Sequence, residues 1–204
     1  MNKQVYLASK SPRRRELLRQ LGLHPVSIPL NHGAGSEAVD ETPLPGEKAP
    51  DYVQRLARAK AEAGRQAMLQ RHLAPLPIVA ADTTVTLNGE ILGKPADAAE
   101  AAAMLRAYSG RCHTVLTAVG VVGHGEVRIA LSESEVRCKR LGEAEIAAYV
   151  ASVEPYDKAG GYAVQGLAAA FIEHIAGSYS GIMGLPLYET AALLREVGVD
   201  VLQP

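Results

Sequence analysis

Strand-like apolar runs alternate with helical segments along this chain, and that alternation predicts an α/β protein with a mixed sheet bent around a cleft. Two further observations agree. The 204 residues suffice for a sizeable core, as one large α/β domain or two small lobes. Hydrophobic residues make up 48% and charged residues 21%, a globular balance without a disorder signature. No internal repeat or low-complexity linker divides the chain, so residues 1–204 are read as one domain.

The elements follow in order. Val5-Tyr6-Leu7-Ala8 reads as a buried first strand. Ser11 is a natural N-cap and Pro12 suits the first helical position; Leu17, Leu18 and Leu21 then carry helical spacing until Gly22 stops it. Residues 31–50 are rich in Gly and Pro, with Glu37, Asp40, Glu41 and Glu47 among them, and read as a loop over a site or simply a mobile one. Asp51 is the expected cap of a long helix to about Gln70, with Val53, Leu56, Ala57 and Ala61 on one face. Ile78–Ala81 is an apolar run of the central-strand kind, and Asn88-Gly89 signals a hairpin. Asp97 caps an Ala-rich helix to about Tyr108. Residues 113–122 and 127–138 form two long strands around Gly123-His124-Gly125. Glu143–Ala151 reads as a helix, Ala169–Ile175 as a strand and Pro186–Arg195 as a closing helix.

Composition excludes several classes. The net charge of −1 gives no bulk attraction to nucleic acid or to a membrane surface. One Phe and no Trp leave few platforms for stacking bases. Cys112 and Cys138 are too few for a disulfide framework and are expected as buried, reduced thiols. The N-terminus carries only a short apolar stretch before a basic run, which is no signal peptide, and no run reaches membrane-spanning length. A cytoplasmic protein is the expectation.

The chemistry begins with an anomaly of charge. Arg13, Arg14 and Arg15 crowd the first turn of a helix, where the backbone already presents partial positive charge and unpaired N–H groups. A bound anion resolves that conflict, and Ser9, Lys10 and Ser11 add further donors; a phosphate site is favoured over a merely solvated basic turn. Asp82 follows the apolar run Ile78–Ala81, well placed for metal or base work, though a turn-capping role weighs equally from position alone. Glu41 is weaker by itself, since acidic loop residues are usually solvated. Lys60 lies on the long helix beside Arg55 and Arg58, where a solvated face is the commoner outcome. Lys94, between Gly93 and Pro95, sits on an extended segment that suits a point-charge contact to phosphate.

Other mechanisms fail on spacing. The chain has no Gly-x-x-x-x-Gly-Lys-Ser/Thr loop, no Gly-x-Gly-x-x-Gly fingerprint and no Gly-x-Ser-x-Gly elbow. Its six histidines and two cysteines show no zinc pattern. Carboxylates, lysines, arginines and hydroxyls remain, a set that favours Mg²⁺ or Mn²⁺ with phosphate over zinc or covalent catalysis.

Taken together, these motifs resemble the Maf family of nucleoside triphosphate pyrophosphatases. Ser9-Lys10-Ser11-Pro12-Arg13-Arg14-Arg15-Glu16-Leu17-Leu18 is similar to the family's opening signature. Asp40-Glu41-Thr42, Arg55-Leu56-Ala57-x-x-Lys60-Ala61, Ala81-Asp82-Thr83 and Leu92-Gly93-Lys94-Pro95 match its next motifs in order. Tyr108-Ser109-Gly110, Asp157-Lys158-Ala159-Gly160, Gln165-Gly166, Gly177-Ser178-Tyr179 and Gly184-Leu185-Pro186 complete it, covering about residue 5 to about 195. The resemblance implies a mixed, strongly bent sheet flanked by helices, with two lobes around a central cleft.

Tyr162-Ala163-Val164-Gln165-Gly166 looks like the branch acting on dTTP and UTP, and a glutamine amide can both donate and accept toward a pyrimidine. The resemblance further implies Asp82 as catalytic base, Glu41 beside it at the metal, and Lys60 and Lys94 on the triphosphate. Arg13, Thr83 and Gln165 then shape base choice, and Arg14 joins Arg13 in stabilising the departing pyrophosphate. Two rivals stand beside this reading: a nucleic-acid- or protein-binding regulator of cell division that needs no catalysis, and a pyrophosphatase of the same family with another base preference. A homodimer enters by analogy only.

Overall fold

The first strand, β1 (Gln4–Leu7), leads into α1 (Pro12–Gln20) and returns through β2 (His24–Ser27) in the computed structural model, which describes residues 3–30 and 39–203. The long helix α2 (Ala49–Gln70) precedes β3 (Ile78–Leu87), β4 (Glu90–Leu92) and α3 (Ala98–Tyr108). Then come β5 (Cys112–Val122), β6 (Arg128–Cys138), α4 (Glu143–Val150), β7 (Ile172–Ala176), α5 (Tyr179–Ile182) and α6 (Leu187–Glu196). All seven strands join one sheet in the order β2-β1-β3-β5-β6-β7, with β4 attached to β3. β1 runs parallel to β2 and β3, while the other pairings are antiparallel, so the sheet is mixed as expected. No helix among the described residues is long and apolar enough to cross a membrane.

Alternation along β3 and β5 divides one face of the sheet into two cores. Val79 and Ala81, with Val119 and Val121, pack against Leu17, Leu18 and Leu194. Val85 and Leu87, with Val115, pack against Met104, Tyr108 and Tyr162. Thr83 and Thr117 hold the intervening places, cross-strand partners whose hydroxyl oxygens lie 3.0 Å apart. Polar groups thus interrupt the apolar face where the two cores meet. The opposite face is closed by α2: Ala61 and Ala67 meet Ile78 and Ala80, and Val53 and Ala57 meet Leu116 and Ala118.

Local chemistry explains most boundaries. Ser11 Oγ accepts from Arg14 N at 3.4 Å and Asp97 Oδ1 from Glu100 N at 2.9 Å, so both expected caps are in place. The β3–β4 turn puts Asn88 at φ 53° and Gly89 at φ 86°, the left-handed pair that a tight hairpin requires.

Several expectations need correction. α2 starts at Ala49 rather than after Asp51, because Pro50 is pre-set for a first turn; Asp51 contributes its charge inside that turn. Residues 167–171 form a 3₁₀ helix, and the strand begins only at Ile172: the run Ala168–Ala170 has no β-branched residue to favour extension. β2 escapes sequence reading because an edge strand His24-Pro25-Val26-Ser27 is mostly polar and tolerates its proline. Cys138 is buried, but Cys112 opens β5 and is exposed. The expected loop over residues 31–50 falls partly outside the described residues; 39–48 are ordered against α2.

Inside the second core, the His113 ring is 3% exposed, with Nε2 2.7 Å from the Tyr162 hydroxyl and Nδ1 without a hydrogen-bond partner among the described residues. Burial pushes its pKa down to about 4 from 6.5. The unfolded ring therefore binds a proton that the folded ring refuses. Stability present above pH 6.5 falls as pH drops toward about 4, by roughly 3 kcal/mol from this group. Thermal melting of the wild type and His113→Asn at several pH values between 7 and 4.5 should show a shallower acid decline in the variant.

Candidate active site

The open edge of β3 creates the site. β1 pairs with β3 only as far as Leu7 opposite Val79, and the β4 pairing starts only at Val85, opposite Leu92 at the end of β4. The intervening stretch has no partner strand on that edge among the described residues, leaving a notch in the sheet. Asp82 and Thr83 lie in the notch and, as neighbours in a strand, face opposite sides of it. Asp82 therefore stands in mid-strand rather than at the strand's end, because β3 runs on to Leu87.

On the α2 side, Lys60 Nζ lies 2.6 Å from Asp82 Oδ1 and 2.5 Å from Glu41 Oε1. Lys60 is thus not part of a solvated face; its side chain is 13% exposed. Burial raises the Asp82 pKa, with the Lys60 and Arg14 charges only partly opposing it. Glu41 also feels burial, yet the Lys60 hydrogen bond and charge outweigh it and leave that carboxyl below its ordinary range.

Arg55 and Tyr52 present Glu41. Arg55 makes a bidentate pair with Glu47 at 2.6 and 2.8 Å and donates to the Thr42 carbonyl at 3.1 Å; Tyr52 Oη donates to the Glu41 carbonyl at 2.9 Å. Helical position alone places Arg55 on a solvated face and gives Tyr52 no role. The signal was Arg55's place in the motif that also carries Lys60.

On the opposite side, Arg14 works as a bracket. Its Nε donates to the Gly184 carbonyl at 2.7 Å, Nη1 to Ser9 Oγ at 3.3 Å and Nη2 to Thr83 Oγ1 at 3.1 Å. Three of the five guanidinium N–H donors are thus committed to the protein. Desolvation lowers its pKa, and Asp82 and Glu41 offset part of that effect. Ser9 Oγ also accepts from Ser11 N at 3.1 Å, so the Ser9–Ser11 loop is folded onto this bracket. Thr117 Oγ1 donates to the Gly181 carbonyl at 2.7 Å. Neither Thr117 nor the Gly184 carbonyl had been singled out, and no periodicity marks them.

Arg13 differs from Arg14: its side chain hydrogen-bonds no described residue and lines a small cavity open to solvent. Thr83, Val85, Tyr162, Gln165 and Lys158 line the same space, so the structure brings Arg13, Thr83 and Gln165 to one wall-lined cavity. Lys94 is exposed at the far side of the notch. Its segment is held by Gly160 N donating to the Gly93 carbonyl at 2.9 Å and by buried Pro95. Its charge reaches Glu41, helping to lower that carboxyl.

Asp82 and Glu41 are the residues of this site that could hold a divalent cation. Asp82 and Glu41 offer two carboxylates gripping a common ammonium, and no cluster of three or more His, Cys, Asp or Glu occurs among the described residues. Two carboxylates with substrate oxygens and water can complete the coordination of Mg²⁺.

Comparison with known proteins gives this arrangement a family. The model of the family described as Maf-like protein matches residues 4–197. The chain belongs to the Maf-like family. A dTTP/UTP pyrophosphatase of Nitrosospira multiformis is 53% identical over 98% of this chain and 97% of its own. Proteins of the same name from Nitrosomonas europaea and Bordetella parapertussis are 52% and 54% identical, over 97% of this chain and 96% and 94% of theirs. Among solved structures, the Staphylococcus aureus Ham1 protein matches with a TM-score of 0.47 and 16% identity, over 66% of this chain and 71% of that one.

The two neighbouring arginines should separate experimentally. Arg14→Met leaves the Gly184 carbonyl and Thr83 without their charged donor and should cost about 2–3 kcal/mol of stability. Arg13→Met should change stability by less than about 0.5 kcal/mol. Urea unfolding of both variants makes the comparison.

Proposed function

We propose that this Maf-like protein hydrolyses dTTP and UTP to the nucleoside monophosphate and pyrophosphate, water attacking the α-phosphorus. One observation carries the reading: Asp82, a buried carboxylate whose pKa is raised by desolvation, stands in the notch beside Glu41 and Lys60, next to a cavity lined by Arg13, Thr83 and Gln165. Relatives at more than 50% identity that bear the name dTTP/UTP pyrophosphatase support it.

Asp82 acts as general base. Lys60 grips Oδ1, which leaves Oδ2 to take the proton from the attacking water. Glu41 and Asp82 would hold Mg²⁺ or Mn²⁺, which when bound neutralises charge on the triphosphate. Arg13 and Lys94, with Lys60 and the bracketed Arg14, set positive charge around the departing pyrophosphate. Gln165 meets the pyrimidine edge with its amide, and Arg13 and Thr83 narrow the same space. The near-zero net charge supports a free nucleotide over a nucleic acid as substrate. Nucleoside triphosphates are metabolites of the cell interior, which supports a cytoplasmic location.

Product analysis with a panel of nucleoside triphosphates and Mg²⁺ tests the reading: selective release of monophosphate and pyrophosphate from dTTP and UTP is expected, and inactivity on both rejects it. Asp82→Asn should lower kcat by about 10²–10⁴-fold, the size of a general-base contribution. The pH profile carries its own sign. A base must be unprotonated, and burial raises Asp82, so the acid limb of kcat/KM should lie above the 3.8 of an ordinary aspartate. Lys60→Met removes a charge that lowers Asp82 and should move that limb to higher pH.

A further inference from the structure

Gln165 stands on a turn closed by Gly166 N donating to the Ala163 carbonyl at 3.0 Å. The far side of this turn is held by Glu154. Its Oε2 accepts from Leu167 N at 2.8 Å, and its Oε1 accepts from Ala168 N at 3.2 Å and from the Tyr149 hydroxyl at 2.8 Å. Those contacts, led in effect by burial that they together overcome, leave the Glu154 carboxyl below its ordinary range. Tyr149 is buried in the second core, so the carboxylate ties the turn to a packed element.

Gly166 makes the fit possible. A Cβ there would stand 2.2 Å from Glu154 Oε2 and 2.5 Å from its Cδ. The carboxylate occupies the space where any other residue's side chain begins. The Glu154 carbonyl also accepts from Lys158 Nζ at 2.9 Å, and Lys158 lines the same cavity as Gln165. Glu154 itself does not line it. One residue therefore restrains two groups of the cavity wall from behind.

We propose that Glu154 is a positioning residue for base selection: its carboxylate, seated against Gly166, sets where the Gln165 amide stands in the cavity. The proposal rests on the reading that Gln165 meets the base. Its physical ground is that a base-selecting amide discriminates only when its backbone is fixed to a fraction of an ångström. A glutamine whose turn can shift offers its donor and acceptor to either of two similar pyrimidines.

Steady-state kinetics with UTP and CTP, which present different hydrogen-bonding edges, provide the test. Glu154→Gln, Gly166→Ala, the double variant and Gln165→Ala are compared. Each of the first two should lower the UTP/CTP ratio of kcat/KM about tenfold, mostly through a higher KM for UTP. The double variant should be no worse than the poorer single one, because both changes break one contact. If Gln165→Ala collapses the ratio while Glu154→Gln and Gly166→Ala keep it within about twofold, the proposal falls and the base-selection reading stands. If Gln165→Ala itself leaves the ratio unchanged, that reading fails and takes the proposal with it. An equal loss of kcat on both nucleotides, with additive effects in the double variant, identifies a merely structural residue and also overturns the proposal.

Discussion

A carboxylate in the interior of a sheet needs a cation brought to it, and the contact between Lys60 and Asp82 meets that need. Removing either partner would strand the other charge away from water, which is far costlier than never having buried the pair. Small residues make the contact reachable. Ala57, Ala61 and Gly64 line the face of α2 that meets the sheet, and a Cβ at Gly64 would lie only 3.0 Å from Ala8 Cβ and Ile78 Cγ2. Bulkier residues there would lift the helix and withdraw the ammonium. The same ammonium then gathers Glu41, so one helix placement assembles the acidic half of the site.

The other half depends on what the sheet lacks. Where the β1 pairing has ended and the β4 pairing has not started, the edge of β3 opens, and both faces of the strand become available to one ligand. This resolves an apparent contradiction, since Asp82 and Thr83 are adjacent and face opposite ways. The two apolar cores on either side of Thr83 and Thr117 keep the notch from closing by collapse, because each is packed on its own helices. Arg14 braces the gap with donors directed to three separate segments.

Much of this was legible in the residues. The caps at Ser11 and Asp97, the Asn88-Gly89 turn and the two long strands announced themselves because their signals are local. The motifs likewise brought Glu41, Lys60, Asp82 and Arg13 onto one page before any geometry was known. What stayed hidden was non-local. Arg55 looks like any helical arginine until Glu47 and Thr42 fold back on it. The Gly184 carbonyl has no side chain to advertise it, and the exposure of Cys112 is set by where β5 begins rather than by its strand-like neighbours. The Ala168–Ala170 run misled because alanine has no strong voice in either period.

The hydrogen bond from Arg14 to the Gly184 carbonyl spans 170 positions of chain. During synthesis from the ribosome, the first helix emerges early and its guanidinium has to wait in water for a partner encoded near the end. The bracket over the notch cannot close until α5 has been made. A nascent chain therefore carries Asp82 and Lys60 long before it carries the segment that closes the bracket over the notch.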